Sequence, residues 1–285
     1  TLYKGGMPAQ YGGRLSSVLD IKMNEGNNRE TDVSGGIGLI ASRLNVEGPI
    51  KKDKSSFLIS ARRTYADVFL KLSKDEDTKN SQLYFYDANA KLNYTLSAKD
   101  RLFLSGYFGR DVLGVANLFG IDWGNATATA RWNHLFSDKV FSNTSVIFSN
   151  YSYKISITSD DNDFDITSKI RDYNVKQEFQ FFPNVKHKIR AGFNSIYHTI
   201  VPGQLNASET SGINDLKLQD RYSWENAMYY SGDYQLSDKW NVIYGLRLTN
   251  FTVLGKGDFF SYDEDGEVKD TATYSSGEVV ENYFN

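Results

Sequence analysis

The sequence predicts an all-β chain, a transmembrane antiparallel β-barrel wall made of long two-faced strands. Three observations carry this expectation. Apolar and polar residues alternate strictly over long stretches. The stretches run to roughly 13–20 residues, against ~5–6 for most globular strands. Short polar turns alternate with long polar segments, the rhythm of a barrel with turns on one side of a membrane and loops on the other. Composition agrees. The 285 residues hold 19 Tyr, 18 Phe and 4 Trp, yet mean hydropathy is −0.48. One apolar face averaged with one wet face and wet loops gives such a value. No run reaches the ~18 apolar residues of a membrane-crossing helix.

Composition also excludes several classes. Net charge is −3, so the basic footprint of a nucleic-acid binder is absent. With 0 Cys, the chain has no disulfide scaffold, no Cys-ligated zinc and no thiol nucleophile.

Residues 1–29 do not read as a wall strand. Gly5, Gly6, Gly12, Gly13 and Pro8 make a tightly turned segment. A short strand is expected over Ser17–Met23, then a polar spacer from Asn24 to Arg29. The N-terminus lacks the apolar core of a signal peptide, so the chain is either not exported or an internal piece of a longer one. From about residue 30, roughly eleven strands follow, with a twelfth begun near the end. In Gln82–Leu96, Tyr84, Tyr86, Ala88, Ala90, Leu92 and Tyr94 share one phase, and Phe85, Asp87, Asn89, Lys91 and Asn93 the other. Leu216–Leu236 repeats the pattern, and Trp240–Thr249 follows. Ile166–Phe182 and Lys188–Val201 show it more weakly.

Short turns are expected at Lys51–Lys54, Ser97–Asp100, Ser137–Lys139, Pro183–Lys186 and Ser237–Lys239. Long loops are expected at Lys71–Ser81, Ser159–Asp165, Pro202–Asp215 and Gly255–Thr273. Tyr94, Phe103, Phe136, Phe141, Phe181, Phe182, Tyr234 and Trp240 bracket the short turns, as an interfacial aromatic girdle would.

The charges of the polar phase are Asp172, Lys176, Glu178, Arg221, Glu225, Asp233 and Arg247. On a lipid face, Arg or Lys would cost about 2–4 kcal/mol at the midplane, so these residues are expected to face the lumen. Their mixed signs argue against a narrow ion selector. His134, His187 and His198 share no i, i+4 spacing, so no metal site and no cofactor is expected. No Gly-x-Ser-x-Gly elbow occurs, so no catalytic residues are expected. Gly35-Gly36-Ile37-Gly38 lacks the full dinucleotide spacing. The acidic runs Asp160–Asp165 and Asp263–Glu267 match no EF-hand loop and read as solvated loops.

The run Gly6-Met7-Pro8-Ala9-Gln10-Tyr11-Gly12-Gly13-Arg14-Leu15-Ser16-Ser17-Val18-Leu19-Asp20-Ile21 resembles the end of the plug domain of TonB-dependent outer-membrane receptors, most of all those of the Bacteroidetes. Ser34–Ile40, Val46–Ile50 and Ser60–Tyr65 are similar to the first barrel strands of that group. The close resemblance covers about residues 1–70. It implies a 22-stranded barrel filled by a plug, with residues 1–29 the C-terminal end of the plug and 30–285 the first roughly 11 strands. The signal peptide, the TonB box, most of the plug and the later strands would then lie outside this chain. It implies a transporter and not an enzyme. Its partners would be the TonB complex, outer-membrane lipid, a nutrient such as a siderophore, cobalamin, glycan or peptide, and in some cases a surface lipoprotein. Family plugs often carry Arg before the Tyr-Gly pair, reaching a carboxylate cluster on the wall. Gln10 stands there instead, which removes a charge-assisted bond. Gln10 and Arg14 are therefore the candidate plug–barrel contacts. Substrate choice is expected in the loops near Pro202–Asp215 and Gly255–Thr273. The rival readings are a self-contained barrel of about twelve strands, porin-like or an outer-membrane hydrolase, and a soluble β-rich binding protein.

Overall fold

The computed structural model describes residues 1–5, 7–13, 16–116, 118–158, 163–208 and 211–284. The chain starts with β1 (Leu2–Tyr3), a 3-10 turn (Ala9–Tyr11) and β2 (Val18–Leu19), which pairs with β1. Then come β3 (Asp32–Ile37), β4 (Ala41–Lys51), β5 (Ser55–Thr64), α1 (Asp67–Leu70) and α2 (Glu76–Asn80). The long strands are β6 (Gln82–Thr95), β7 (Asp100–Val115), β8 (Phe119–Ser137), β9 (Val140–Ile157), β10 (Phe164–Asn184) and β11 (His187–Ala207). After β12 (Leu216–Lys217) come β13 (Arg221–Gln235), β14 (Asn241–Leu254), β15 (Gly257–Tyr262), β16 (Val268–Tyr274) and β17 (Val279–Phe284).

One antiparallel sheet follows chain order from β3 to β11, then β13, β14 and β17. β12 pairs with the outer end of β11, and β15 and β16 make a separate hairpin. Connections in the path join sequence neighbours except where β12 and the β15–β16 hairpin are looped out, so the long strands pair in chain order without a crossover. The path is open. Among the described residues, β3 and β17 share no ladder.

Burial inverts the pattern of a soluble domain. On β13, Met228 is 69% exposed, while its neighbours Ala227 and Tyr229 are buried and Ser231 is only 4% exposed. On β14, Leu246 is 75% exposed. Trp224, Tyr230, Leu248, Phe193, Val175, Val146, Leu104 and Leu92 extend the same exposed face. Lys91, Asn93, Gln180 and Ser223 are buried on the other. Continuous apolar surface of this extent is what a monomer in water avoids, and what a bilayer covers.

The short turns share one device. The Ser97 Oγ accepts from the Lys99 backbone N–H at 3.0 Å, and Ser137 and Ser237 do the same for Lys139 and Lys239 at 3.3 Å. At the fourth such turn the Asn184 side-chain oxygen accepts from the Lys186 N–H at 3.0 Å. A side chain bonding two residues on mimics a backbone turn, which is why Ser and Asn recur there.

Four expectations need correction. Ser17–Met23 forms only the two-residue β2, because its partner β1 is equally short. Leu216–Leu236 is not one strand: β12 pairs with β11 for two residues, and the main ladder resumes at Arg221. Pro202–Asp215 is loop only after Ala207, since β10 and β11 keep pairing to Phe164 and Ala207, well past the apolar band. Gly255–Thr273 is not a plain loop but holds the β15–β16 hairpin.

Candidate functional site

The described part of the N-terminal segment lies against the polar face of the sheet, which is thereby its inner face. Two contact patches hold them there. The first lies under the 3-10 turn. The Arg247 guanidinium donates to the Ala9 carbonyl at 3.3 Å and stands 3.7 Å from Glu225. The Ser231 hydroxyl donates to Gln10 Oε1 at 3.3 Å. Gly12 makes this approach possible, because a Cβ there would fall on the Arg247 side chain. Gly13 has φ +76 and a Cβ position 3.3 Å from Glu225 Oε1, so a side chain would be strained by the backbone and crowded by the wall.

Behind this turn runs a polar ladder across four strands. His198 Nδ1 is bonded to Asp172 at 2.8 Å, and its Nε2 lies 3.9 Å from Glu225. Glu225 then meets Arg247. Register explains the geometry: Asp172 faces His198 directly, and Glu225 and Arg247 are reached diagonally on β13 and β14. One turn nearer the short-turn end, Tyr229 donates to Glu178 at 3.0 Å and Gln180 donates to it at 2.5 Å.

The second patch grips residues 23–28. Lys91 donates to the Met23 carbonyl at 3.1 Å, and Asn93 and Ser56 both donate to the Glu25 carbonyl, at 2.6 and 2.8 Å. Arg101 pairs with the Glu25 carboxylate at 2.6 Å. Lys91, Arg101 and Arg131 all stand over the Phe103 ring, 5.8, 4.9 and 4.4 Å from its centroid. The ring's negative face spaces three cations where one would repel the next.

Within the segment, the Tyr11 hydroxyl donates to Asp20 at 3.4 Å. Burial, then the Asp20 charge, push its phenol up to about 12. At the long-loop end, Arg221 donates to the Asp258 carbonyl at 3.0 Å and stacks 4.2 Å from the Phe259 centroid, tying the β15–β16 hairpin over the inner face.

Of the residues singled out from sequence, Asp172, Glu225 and Arg247 come together in the ladder and Gln10 sits beside it. Glu178 joins Tyr229 instead. Lys176 lies on the same face of β10, across from Asn194 on β11. Asp233 faces Lys188 near the short turns, and Arg221 belongs to the loop contact. Arg14 lies outside the described residues, as do Asp160, Asp161 and Asn162. Sequence reasoning passed over His198 as a bridging residue, and Lys91, Asn93, Arg101 and Glu25 as a contact patch. The signal for the first was its register with Asp172, which only the turn positions reveal. For the second it was Lys91 and Asn93 in the wet phase of a strand that otherwise carries few charges. Among the described residues, no cluster of three or more His, Asp or Glu could hold a metal ion.

No protein-family model and no curated protein matches the sequence. Solved structures do match. The copper transporter OprC aligns with TM-score 0.70 at 11% identity, covering 100% of this chain and 46% of that one. The ferripyoverdine receptor of the outer membrane of Pseudomonas aeruginosa aligns with TM-score 0.67 at 13% identity, covering 97% and 42%. The open form of the ferric-catecholate import receptor Fiu from E. coli K12 aligns with TM-score 0.63 at 12% identity, covering 100% and 54%. The chain spans about half the length of these structures. The chain therefore shares its fold with these outer-membrane receptors: part of a transmembrane antiparallel β-barrel, with the N-terminal segment against its inner face.

Proposed function

We propose that this chain is part of a TonB-dependent transporter that takes up a scarce, bulky nutrient across the bacterial outer membrane. Residues 1–29 are the end of its plug and residues 30–285 the first part of its barrel wall. The observation that carries this reading is how the segment is held. Its contacts include hydrogen bonds to its backbone carbonyls from Arg247, Lys91, Asn93 and Ser56, and the Arg101–Glu25 ion pair. Such contacts exchange readily with water, so a pulled plug could leave the wall without exposing greasy surface.

In this reading Arg247 supplies from the wall the charge that Gln10 lacks. The latch joins wall guanidinium to plug carbonyl. The Asp172–His198–Glu225 ladder positions that guanidinium. No bond chemistry is assigned to the site. The cargo belongs to the class of siderophores, cobalamin, glycans or peptides, and its choice lies in the long loops, including the β15–β16 hairpin over the lumen. The three solved relatives named above carry copper, ferric catecholate or ferripyoverdine by name. The plug run resembles that of Bacteroidetes receptors, some of which work with a surface lipoprotein.

The test is growth of a deletion strain across limiting nutrients, followed by uptake of the nutrient found, with and without a protonophore. We expect uptake to stop when the proton gradient collapses. Uptake that persists at the same rate would favour a passive, porin-like barrel.

A further inference from the structure

The outer face of β8 is a trough. Gly124, Ala126, Ala128 and Ala130 are its successive outward residues, small beside Arg110, Phe108 and Leu104 on β7 and Asn150, Phe148 and Val146 on β9, with Gly106 across from Ala128 widening the trough. The lower part is an apolar groove of about 380 Å³ between Leu104, Val146 and Phe148. The upper part is a cleft of about 230 Å³ rimmed by Phe108, Arg110, Lys154 and Lys169. Ala126 and Ala128 join the two, so they form one continuous channel along the wall.

Cations collect at the upper end. Arg110, Lys154, Lys169 and Arg171 share the outward phase of Phe108, Val146 and Tyr173. Two acids stand among them, and both are engaged: Asp122 with Arg110, and Asp165 with Lys154 at 2.7 Å. Lys169 and Arg171 are exposed and pair with no acid among the described residues. Gly124 lies thirteen residues from Ser137 at the short-turn end of β8. At ~3.3 Å per residue and a tilt of ~40°, that is about 33 Å, beyond an apolar band about 25 Å tall. The Ala130 level, seven residues from Ser137, falls inside that band. The cations thus stand at headgroup height, directly above an acyl-sized trough.

We infer that this channel binds a phosphorylated lipid of the surrounding bilayer, its phosphate between Lys169, Arg171 and Arg110 and an acyl chain along Ala126–Ala130. The inference needs only the barrel fold and is independent of the cargo. An uncharged lipid would leave the two unpaired cations unmatched. A free anion would leave the trough below empty. The complementarity of both halves selects an anionic amphiphile.

The test uses the natural polypeptide purified from membranes in a non-ionic detergent. Native mass spectrometry measures retention of dioleoyl phosphatidic acid and of dioleoylglycerol, with the same chains and no phosphate. The first should be retained about tenfold more tightly, a difference on the scale of one strong charge contact. The double variant Lys169→Ala, Arg171→Ala should lose that preference. Ala128→Phe, which fills the trough without touching a charge, should weaken phosphatidic acid binding by a similar factor. Heat-modifiable gel migration equal to wild type shows that each variant is folded. Equal retention of the two lipids, unchanged binding in both variants, or displacement of the lipid by equimolar inorganic phosphate would overturn the inference.

Discussion

At the residue scale, Arg247 and Gly12 define the contact between segment and wall. Arg247→Ala removes both the Ala9 bond and the Glu225 partner. A lost charged hydrogen bond costs about 1.5–3 kcal/mol. Hydrogen exchange at Tyr11, Gly12 and Gly13 should accelerate accordingly while the wall strands stay protected. Gly12→Ala should give the same local signature, because the new methyl displaces the Arg247 side chain. If both variants leave those amides as slow as wild type, the latch lies elsewhere. Tyr11 adds a pH dependence. Its phenol is raised, so its contribution is whole below its ordinary value near 10 and is lost as pH rises toward about 12. The segment should therefore loosen in strong base before the sheet does, read by exchange or protease access. Gln10 and Arg247 were each legible in the sequence as residues of interest, one in the glycine-rich N-terminal run and one as a charge in the polar phase of a strand. Their nearness was not, because Arg247 meets the segment at Ala9, 238 positions away along the chain.

At the element scale, the strands were the legible part. Alternation gave β6 as Gln82–Thr95 within a residue of expectation, because a strand facing lipid and water must change polarity at every step. The wall ends were less legible, because β10 and β11 continue beyond the bilayer, where periodicity no longer pays for itself. Met228 lies seven residues from the short-turn end of β13, near the midplane. Met228→Arg should cost about 2–4 kcal/mol, measured by refolding into vesicles. The same change at Tyr262, in the loop hairpin, should cost little. The short helix α2 supplies a second pH test. Thr78 donates to Asp75 from both its backbone N–H and its hydroxyl, at 2.8 and 2.7 Å, and holds that carboxyl below the usual range. The cap is fully present above the ordinary carboxylate value of ~3.9 and is lost as pH falls through the lowered one. Acid should melt this loop locally, with Asp75→Asn insensitive over the same window.

At the scale of the whole molecule, the account rests on a sheet with lipid on one side and a polar segment on the other. The exposed Met228 and Leu246 and the buried Ser231 and Lys91 are hard to reconcile with a protein dissolved in water. The open path from β3 to β17 leaves unpaired backbone groups along both edges, and each would cost several kcal/mol in hydrocarbon. Further strands of a larger barrel would satisfy them. The most direct measurement is power-saturation electron paramagnetic resonance in vesicles. The chain has no Cys, so single spin labels are readily placed at Met228, Leu246, Ser231 and Thr249. Labels at Met228 and Leu246 should be relaxed by oxygen, which partitions into lipid. Labels at Ser231 and Thr249 should be shielded from oxygen. If the two pairs respond alike, or the pattern reverses, the two-faced wall is wrong.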